Sequence, residues 1–207
     1  MEREPVICIV DDDEAIRESV RLLLFADGLH CETYESADAL LKDEAAVDFD
    51  CMLLDIRMPG TDGLELFSML QEKRVPYPII FITGHGDIPL AVAAIKHGAY
   101  DFLTKPFGTG ELLERVRSGI AAHQRQRQEQ QELQELFERL GSCTRRERDV
   151  MHLLADGLSN KGIADTLCIS PRTVEIHRAH VMEKMSADSL PALVRMMAVL
   201  EKNGAFC

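Results

Sequence analysis

Over residues 1–120, five short runs of β-type residues alternate with stretches of helical periodicity, and this alternation restricts the fold more than any other feature. Several runs are continuously apolar, as strands buried on both faces of a sheet must be. The pattern predicts an α/β domain with a doubly wound, five-stranded parallel sheet. The predicted strands are Val6–Val10, 29–34, Cys51–Asp55, Ile79–Thr83 and Asp101–Thr104. The helices predicted around them are 14–27, 36–42, 64–72, 88–96 and one that begins near Thr109.

Residues 142–207 show only the apolar periodicity of helices, which predicts an all-α unit of four helices. Two of the helices are short and are joined by a tight turn at 167–170, the pattern of a helix-turn-helix. Ser170 and Pro171 supply the N-cap and first-turn residues of the second of these helices. The predicted helices are 145–156, Asn160–Leu167, Pro171–Lys184 and 189–201.

A polar segment rich in Gln, Glu and Arg connects the two parts and contains no Gly or Pro before Gly141. It is predicted to be a long helical linker, which divides the chain into domains at 1–121 and 142–207 with the linker at 122–141. Its role is open between a solvated helix or flexible connection and a helix that pairs in a dimer. The residues available for such pairing are Leu133, Leu136, Phe137 and Leu140.

The charge of the chain is divided unevenly between the two parts, although the net charge is −12. Residues 1–141 hold 14 Lys and Arg against 27 Asp and Glu, whereas residues 142–207 hold 9 against 8. Only the second part therefore suits contact with the phosphate backbone of a nucleic acid.

Apolar runs and cysteines exclude several classes of protein. No apolar run approaches the length of a membrane span, and the N-terminus lacks the apolar stretch of a secretory signal. The six cysteines are scattered without a CxxC pair or a Cys/His ligand spacing, which argues against a zinc module. The same scatter favours reduced thiols and therefore a cytoplasmic location. We therefore expect a cytoplasmic protein that does not associate with membranes.

Acidic and other functional side chains follow several of the predicted strands. Residues 11–13 are three consecutive aspartates directly after the first strand, and Asp55 ends the third. Thr83 ends the fourth strand, and Lys105 follows the fifth. Because the carboxyl ends of parallel strands lie at one edge of a sheet, these groups are expected to converge there. Crowded carboxylates repel one another and attract a hard cation, and oxygen ligands suit Mg²⁺ better than zinc or copper.

This set of groups fits phosphoryl transfer onto an aspartate. One carboxylate acts as the nucleophile, a metal ion held by the others neutralises the phosphoryl oxygens, and Lys and Thr bind those oxygens from the far side. The alternative, that each acid is only a turn residue at the end of a strand, accounts for any one of them but not readily for the whole set.

Four segments of the first part, VDDD, LLDIRMPGTDG, FITGHGD and DFLTKPF, resemble the signature segments of two-component receiver domains. The resemblance covers residues 5–121 and implies the flavodoxin-like receiver fold. It implies that Asp55 accepts a phosphoryl group from a phosphohistidine of a sensor histidine kinase. It also implies that Asp12 and Asp55 bind Mg²⁺ (or Mn²⁺) directly, with Asp11 acting through water and Arg57 through its backbone carbonyl.

The same resemblance assigns the remaining positions of the site. It implies that Thr83 and Lys105 contact the phosphoryl group, that Phe102 is the aromatic switch residue, and that Lys105–Pro106 is a cis peptide. Many receivers have Tyr at the switch position, so here packing rather than a hydroxyl must carry the switch. Asp13 is expected to be a spare surface acid or a charge at a helix N-terminus. Haloacid-dehalogenase-like phosphatases are excluded because Arg57 stands where they need a second Asp.

The segment TRRERDVMHLLADGLSNKGIADTLCISPRTVEIHRAHVMEKM resembles the LuxR-type helix-turn-helix, and the match is close to the FixJ branch of the FixJ/NarL response regulators. It covers residues 142–203 and implies binding to double-stranded promoter DNA through the recognition helix Pro171–Lys184. Arg145 replaces the proline that is common at the start of the first helix of this domain.

The recognition helix has an apolar face for burial and a face for contact with DNA. Val174, Val181 and Met185 form the apolar face. Phosphate contacts are expected from Lys161, Arg172 and Thr173. Contacts with base edges are expected from Glu175, Ile176, His177, Arg178 and Ala179. Three assignments stay open. Glu175 accepts from cytosine or tunes specificity by repulsion, His177 contacts a base or packs in the interior, and Arg178 reads guanine edges or holds a phosphate.

Together these features predict a cytoplasmic response regulator that is not an enzyme beyond self-catalysed phosphoryl uptake and loss at Asp55. Phosphorylation is expected to promote homodimerisation and promoter binding, with RNA polymerase as a further partner. The final helix, 189–201, either pairs two DNA-binding domains or serves only the core. The alternative function is a phosphorelay or protein-partner module in which the helix-turn-helix makes protein contacts.

Overall fold

A computed structural model of the protein describes residues 4–43, 48–84 and 87–206. Its first unit contains a five-stranded sheet in the order β2-β1-β3-β4-β5, and every neighbouring pair is parallel. All five residues of β3 and of β4 are buried, as their apolar runs predict. The strands are β1 (Val6–Val10), β2 (His30–Tyr34), β3 (Cys51–Asp55), β4 (Ile79–Thr83) and β5 (Asp101–Thr104). The predicted doubly wound α/β fold is therefore confirmed.

Helices cover both faces of this sheet. One face packs against α2 (Ala37–Lys42), α3 (Gly63–Glu72) and α4 (Ile88–Lys96). The opposite face packs against α1 (Glu14–Ala26) and the first turns of α5, which begins at Thr109. Each face has its own apolar layer, so the sheet holds the ends of its strands in fixed positions.

Capping residues set the helix boundaries, which differ from the predicted ones by about one residue. The Asp13 carboxylate caps α1, accepting from the backbone N–H groups of Ala15 and Ile16 at 2.9 and 3.3 Å. The helix ends at Ala26 rather than at residue 27, because Asp27 is the C-cap and Gly28 follows with φ of +78°. Asp13 is thus a helix-capping acid, one of the two roles expected for it.

Helix α5 is continuous over Thr109–Ser142, and the chain divides into two compact units between Arg127 and Gln128. The predicted linker is not exposed to solvent throughout. His123 lies within it but is buried in the first unit, with its Nδ1 3.6 Å from Asp50 Oδ1. Burial lowers the pKa of His123. Leu136 and Leu140 pack into the helical core of the second unit. The residues from 124 to 132, on either side of the division, are exposed.

The second unit comprises the end of α5 and the helices α6 (Arg145–Ala155), α7 (Asn160–Leu167), α8 (Pro171–Lys184) and α9 (Leu190–Lys202). Thr144 and Glu147 form a capping box at the start of α6, so this helix begins at Arg145 without the proline usual there. Cys168 makes the tight turn between α7 and α8 with φ of +54°. Within the described residues, no helix is long and apolar enough to cross a membrane.

Candidate functional site

Three charged groups meet at the carboxyl edge of the sheet. Asp11 follows β1, Asp55 ends β3, and Lys105 follows β5. The Lys105 ammonium donates to Asp11 Oδ2 and to Asp55 Oδ1, both at 2.7 Å. Both carboxylates are buried, with 0% and 5% of the residue surface exposed. The parallel sheet thus brings together residues that are 44 to 94 positions apart in the sequence.

Backbone groups hold the remaining oxygens of the two carboxylates. Asp11 Oδ1 accepts from the Asp13 N–H at 2.9 Å, and Asp55 Oδ2 accepts from the Arg57 N–H at 2.8 Å. Every carboxylate oxygen of the pair therefore has a donor, which compensates part of the cost of burying two acids.

Burial and the ion pair act in opposite directions on the pKa values of this site. Burial raises the pKa of Asp55, and the bonds from Lys105 offset this only in part. Burial lowers the pKa of Lys105, but its bonds to Asp11 and Asp55 outweigh that effect and the pKa lies above its ordinary value. Lys105 is therefore a cation at neutral pH, held between two buried carboxylates.

The predicted metal ligands are not all brought together as a cage of side chains. Asp12 is exposed, whereas Asp11 and Asp55 are buried and bridged by Lys105. Across the described ranges, no group of three His, Cys, Asp or Glu side chains is arranged to hold a metal ion. The fourth predicted ligand, the backbone carbonyl of Arg57, is a main-chain group and is not one of these side chains. Magnesium binding stays a prediction.

The two predicted switch residues lie on neighbouring strands. Thr83 is 1% exposed, and its hydroxyl donates to the Gly84 carbonyl at 3.1 Å. Phe102 is half-buried against the apolar layer that α2, α3 and α4 cover. Lys105–Pro106 is cis, as the receiver resemblance implies. The FITGHGD segment also includes His85 and Gly86, which lie outside the described residues.

Arg57 makes a side-chain contact that the sequence patterns did not predict. Its Nε and Nη2 donate to Asp87 Oδ1 at 2.9 and 2.7 Å. The pair joins the loop after β3 to the N-cap of α4, 30 positions further along the chain. The sequence could have indicated this contact only through the opposite charges of two residues in loops at the same edge of the sheet. Their separation in the sequence does not distinguish this pair from other pairs of charged residues.

The predicted DNA-contacting residues divide by exposure. Val174, Val181 and Met185 are fully buried, as expected for the inner face of α8. Three members of the predicted set are only half-buried: Thr173, His177 and Arg178. The exposed members are Lys161, Arg172, Glu175, Ile176 and Ala179.

Two of the half-buried side chains have partners within the unit. Thr173 Oγ1 lies 2.8 Å from the hydroxyl of Ser170, the N-cap of α8. Arg178 Nη1 donates to Asn160 Oδ1 at 3.3 Å and so connects α8 with α7. The Nδ1 of His177 is buried without a hydrogen bond to any described residue, which favours the packing role for this side chain.

A buried glutamate on α6 pairs with two partly exposed cations on α8. Glu147 is 3% exposed, and its Oε2 accepts from Lys184 Nζ at 2.6 Å while its Oε1 lies 3.4 Å from His180 Nδ1. The bond from Lys184 and the capping bonds with Thr144 outweigh burial and lower the pKa of Glu147 to about 2. Glu147 lies in the segment that resembles the LuxR-type helix-turn-helix, but the sequence of that segment does not indicate that the Glu147 carboxylate is buried.

These features define a class of protein, a receiver-type α/β unit followed by a helix-turn-helix unit. Residues 7–117 match the family described as response regulator receiver domain, and residues 142–197 match the bacterial regulatory proteins of the luxR family.

Similar proteins align with this chain over most of its length and most of their own. The transcriptional regulatory protein FixJ of Azorhizobium caulinodans is 45% identical over 188 residues, covering 91% of this chain and 89% of the relative. The response regulator protein TodT of Pseudomonas putida F1 is 42% identical, with 94% and 86% covered.

Two solved structures extend the similarity to the fold. The response regulator StyR matches with a TM-score of 0.85 and 38% identity, covering 95% of this chain and 99% of that one. Full-length FixJ from B. japonicum matches with a TM-score of 0.62 and 41% identity, with 97% and 99% covered. The chain belongs to the FixJ/NarL family of response regulators and is a DNA-binding transcriptional regulator.

Proposed function

We propose that Asp55 accepts a phosphoryl group from a phosphohistidine of a sensor histidine kinase. The observation that carries this proposal is the Lys105 ammonium, 2.7 Å from both Asp11 and Asp55 at the carboxyl edge of the sheet. A buried carboxylate beside a fixed cation is suited to receive a phosphoryl group, because the cation already lies where negative charge arrives.

In the transfer step an Asp55 carboxylate oxygen attacks the phosphorus atom, and a P–O bond forms as the P–N bond to the histidine breaks. The electron pair of that bond stays on the imidazole nitrogen, which regains a proton. Lys105 then exchanges its bond to Asp55 for one to a phosphoryl oxygen. Loss of the group follows when water attacks phosphorus, which returns the Asp55 carboxylate and inorganic phosphate. This self-catalysed uptake and loss is the only chemistry assigned to the chain.

The donor set fits a hard divalent cation. Two buried carboxylates share a single ammonium, so the site keeps an excess of negative charge, and the available donors are oxygens. Asp11, Asp12, Asp55 and the Arg57 carbonyl are the residues that would hold Mg²⁺ or Mn²⁺ there. The bound ion would neutralise phosphoryl oxygens during transfer.

Thr83 and Phe102 carry the signal from the site. We assign Thr83 a contact with the phosphoryl group, made when its hydroxyl leaves the Gly84 carbonyl. Phe102 then repacks, because Thr83 and Thr104 are paired on adjacent strands and Phe102 lies two residues before Thr104. The group acts by binding the active arrangement better than the inactive one, which shifts the population between them.

Phosphorylation in this account promotes homodimerisation and binding to promoter DNA in the cytoplasm, with RNA polymerase as a further partner. The domains are a receiver at 1–121, a linker at 122–141 and a DNA-binding domain at 142–207. The last of these has nearly balanced charge, with 9 basic and 8 acidic residues. Neutralisation of DNA phosphates by basic side chains supplies much of the affinity for DNA, and one copy of this domain has few basic residues in excess. A dimer on two half-sites doubles the number of phosphate contacts and therefore binds more tightly than a monomer.

Substitutions on α8 test the DNA-binding role. Arg172→Ala is expected to weaken binding to all duplexes and to reduce the salt dependence by about one counterion, because Arg172 is an exposed phosphate contact. Ile176→Ala is expected to cost about 1 kcal/mol on preferred sites only, since its exposed side chain reads base edges. Fluorescence anisotropy measures both, using duplexes that the phosphorylated wild-type protein enriches from genomic fragments.

Lys202→Ala at the end of α9 is the matched charge control and should bind like the wild type. If both α8 variants bind the enriched duplexes as tightly as the wild type, the helix does not read DNA. A helix-turn-helix that contacts a protein partner would then be the better account.

A further inference from the structure

Asp87 stands at the N-cap position of α4, but its side chain does not cap the helix. Asp13 and Asp62 each accept backbone N–H bonds at the starts of α1 and α3. Asp87 occupies the same N-cap position on α4, yet its carboxylate makes no capping bond. Its Oδ1 is engaged by the Arg57 guanidinium instead.

The first turn of α4 leaves one main partner for this carboxylate. An N-cap side chain normally accepts from the second or third helical N–H, and here the second position is Pro89, which has no N–H. Leu90 N–H, at the third helical position, is therefore the donor that remains for a cap. Asp87 has φ of −107° and ψ of 4°, so its backbone must become extended, as it is at Asp13 and Asp62, before its side chain can accept from Leu90. Asp87 has a choice between two partners, the Arg57 guanidinium and the Leu90 amide, and in this structure it takes the first.

Arg57 is tied to the phosphoacceptor by its backbone but not by its side chain. Its N–H donates to Asp55 Oδ2 at 2.8 Å, whereas its side chain is 72% exposed. An exposed guanidinium turns to a new partner with little loss of packing. A phosphoryl group on Asp55 brings about two negative charges and three acceptor oxygens to within two residues of it. Asp87 offers a single charge.

We propose that phosphorylation of Asp55 draws the Arg57 side chain from Asp87 to the phosphoryl group, and that Asp87 then caps α4 at the Leu90 N–H. The exchange couples the phosphorylation site to the helix that carries the exposed apolar residues Leu90 and Val92. It rests on the proposed function of Asp55 and adds the device by which α4 senses the phosphoryl group.

The test is amide hydrogen exchange at Leu90, measured by NMR on the full chain with and without Mg²⁺ and beryllofluoride, a mimic of the aspartyl phosphate. A new N-cap should slow exchange of the wild-type Leu90 amide by about fivefold. Asp87→Ala should show no slowing, because it has no cap to offer. Asp87→Ser should show slow exchange in both states, since its hydroxyl caps the helix without holding a guanidinium.

Arg21→Met is the matched control, because it removes an exposed arginine from another ion pair, with Glu18. It should respond like the wild type. Fluorine NMR shows whether beryllofluoride is bound to the wild type. If it is bound and hydrogen exchange at Leu90 is unchanged, Asp87 does not switch partners, and the proposed function stays intact. Equal slowing in Asp87→Ala would also overturn the switch of partners. If the wild type fails to bind beryllofluoride, or Asp55→Asn binds it equally, the proposed function itself is contradicted.

Discussion

Asp55→Asn is expected to abolish phosphoryl uptake by the full chain. An amide nitrogen or oxygen is a far poorer nucleophile than a carboxylate, and the substitution also removes one of the two charges that hold Lys105. The loss should be essentially complete, since no other described acid lies within hydrogen-bonding distance of Lys105 apart from Asp11. Intact mass spectrometry after incubation with Mg²⁺ and a small acyl phosphate donor measures it directly.

Asp13→Asn is the matched control for this experiment. Asp13 belongs to the run of aspartates that contains Asp11, but its carboxylate caps α1 rather than facing Lys105. Asn is also a good N-cap, so this variant should take up phosphate and lose well under about 1 kcal/mol of stability. Uptake by Asp55→Asn at the wild-type level would move the acceptor to a different residue and would contradict the mechanism.

The second large effect concerns stability of the DNA-binding unit. Lys184→Met leaves the buried Glu147 carboxylate without its main partner, and removing one member of a buried pair is costly. Because Lys184 is itself one-third exposed, we expect a loss of about 2 kcal/mol, less than for a fully buried pair. Exchange of the buried Val150 and Met151 amides under native conditions measures the free energy of opening of this unit.

Arg146→Met provides the comparison, since Arg146 pairs with Asp149 at 3.6 Å on the exposed side of the same helix. It should cost about 0.5 kcal/mol or less. Equal losses for the two variants would show that burial of Glu147 does not set the strength of its ion pair.

The same pair predicts a dependence of stability on pH. The pKa of Glu147 is lowered from 4.5 to about 2 in the folded chain, so the unfolded state binds its proton first. The stabilisation from Glu147 is therefore fully present above pH 4.5 and is lost as the pH falls from there toward 2. Glu147→Gln should remove this component from the acid unfolding profile of the second unit, measured by amide exchange or circular dichroism.

Much of the fold was predictable because its signals are local. Continuous apolar runs mark β3 and β4, and the caps at Ser36 and Ser170 mark helix starts. The convergence of Asp11, Asp55 and Lys105 follows from strand order alone, because parallel strands place their carboxyl ends at one edge. These features need no knowledge of individual side-chain contacts.

The features that sequence reasoning missed depend on which side chains meet across the fold. Arg57 and Asp87, like Glu147 and Lys184, are charged residues of a kind that usually lies in solvent. His123 stands in a polar segment, and only the approach of α5 to Asp50 at the start of β3 explains its burial. Hydrophobic periodicity carries no information about such pairs, since it registers where apolar surface goes and not which polar groups are matched.

The most direct test of the central claim is the mass of the full chain in solution, measured by light scattering with and without Mg²⁺ and beryllofluoride. The wild type and Asp55→Asn are compared under the same conditions. The account predicts that the wild type changes from monomer to dimer on addition of the mimic, while Asp55→Asn keeps its mass. A wild type whose mass is the same in both conditions, despite bound beryllofluoride, would contradict activation by dimerisation.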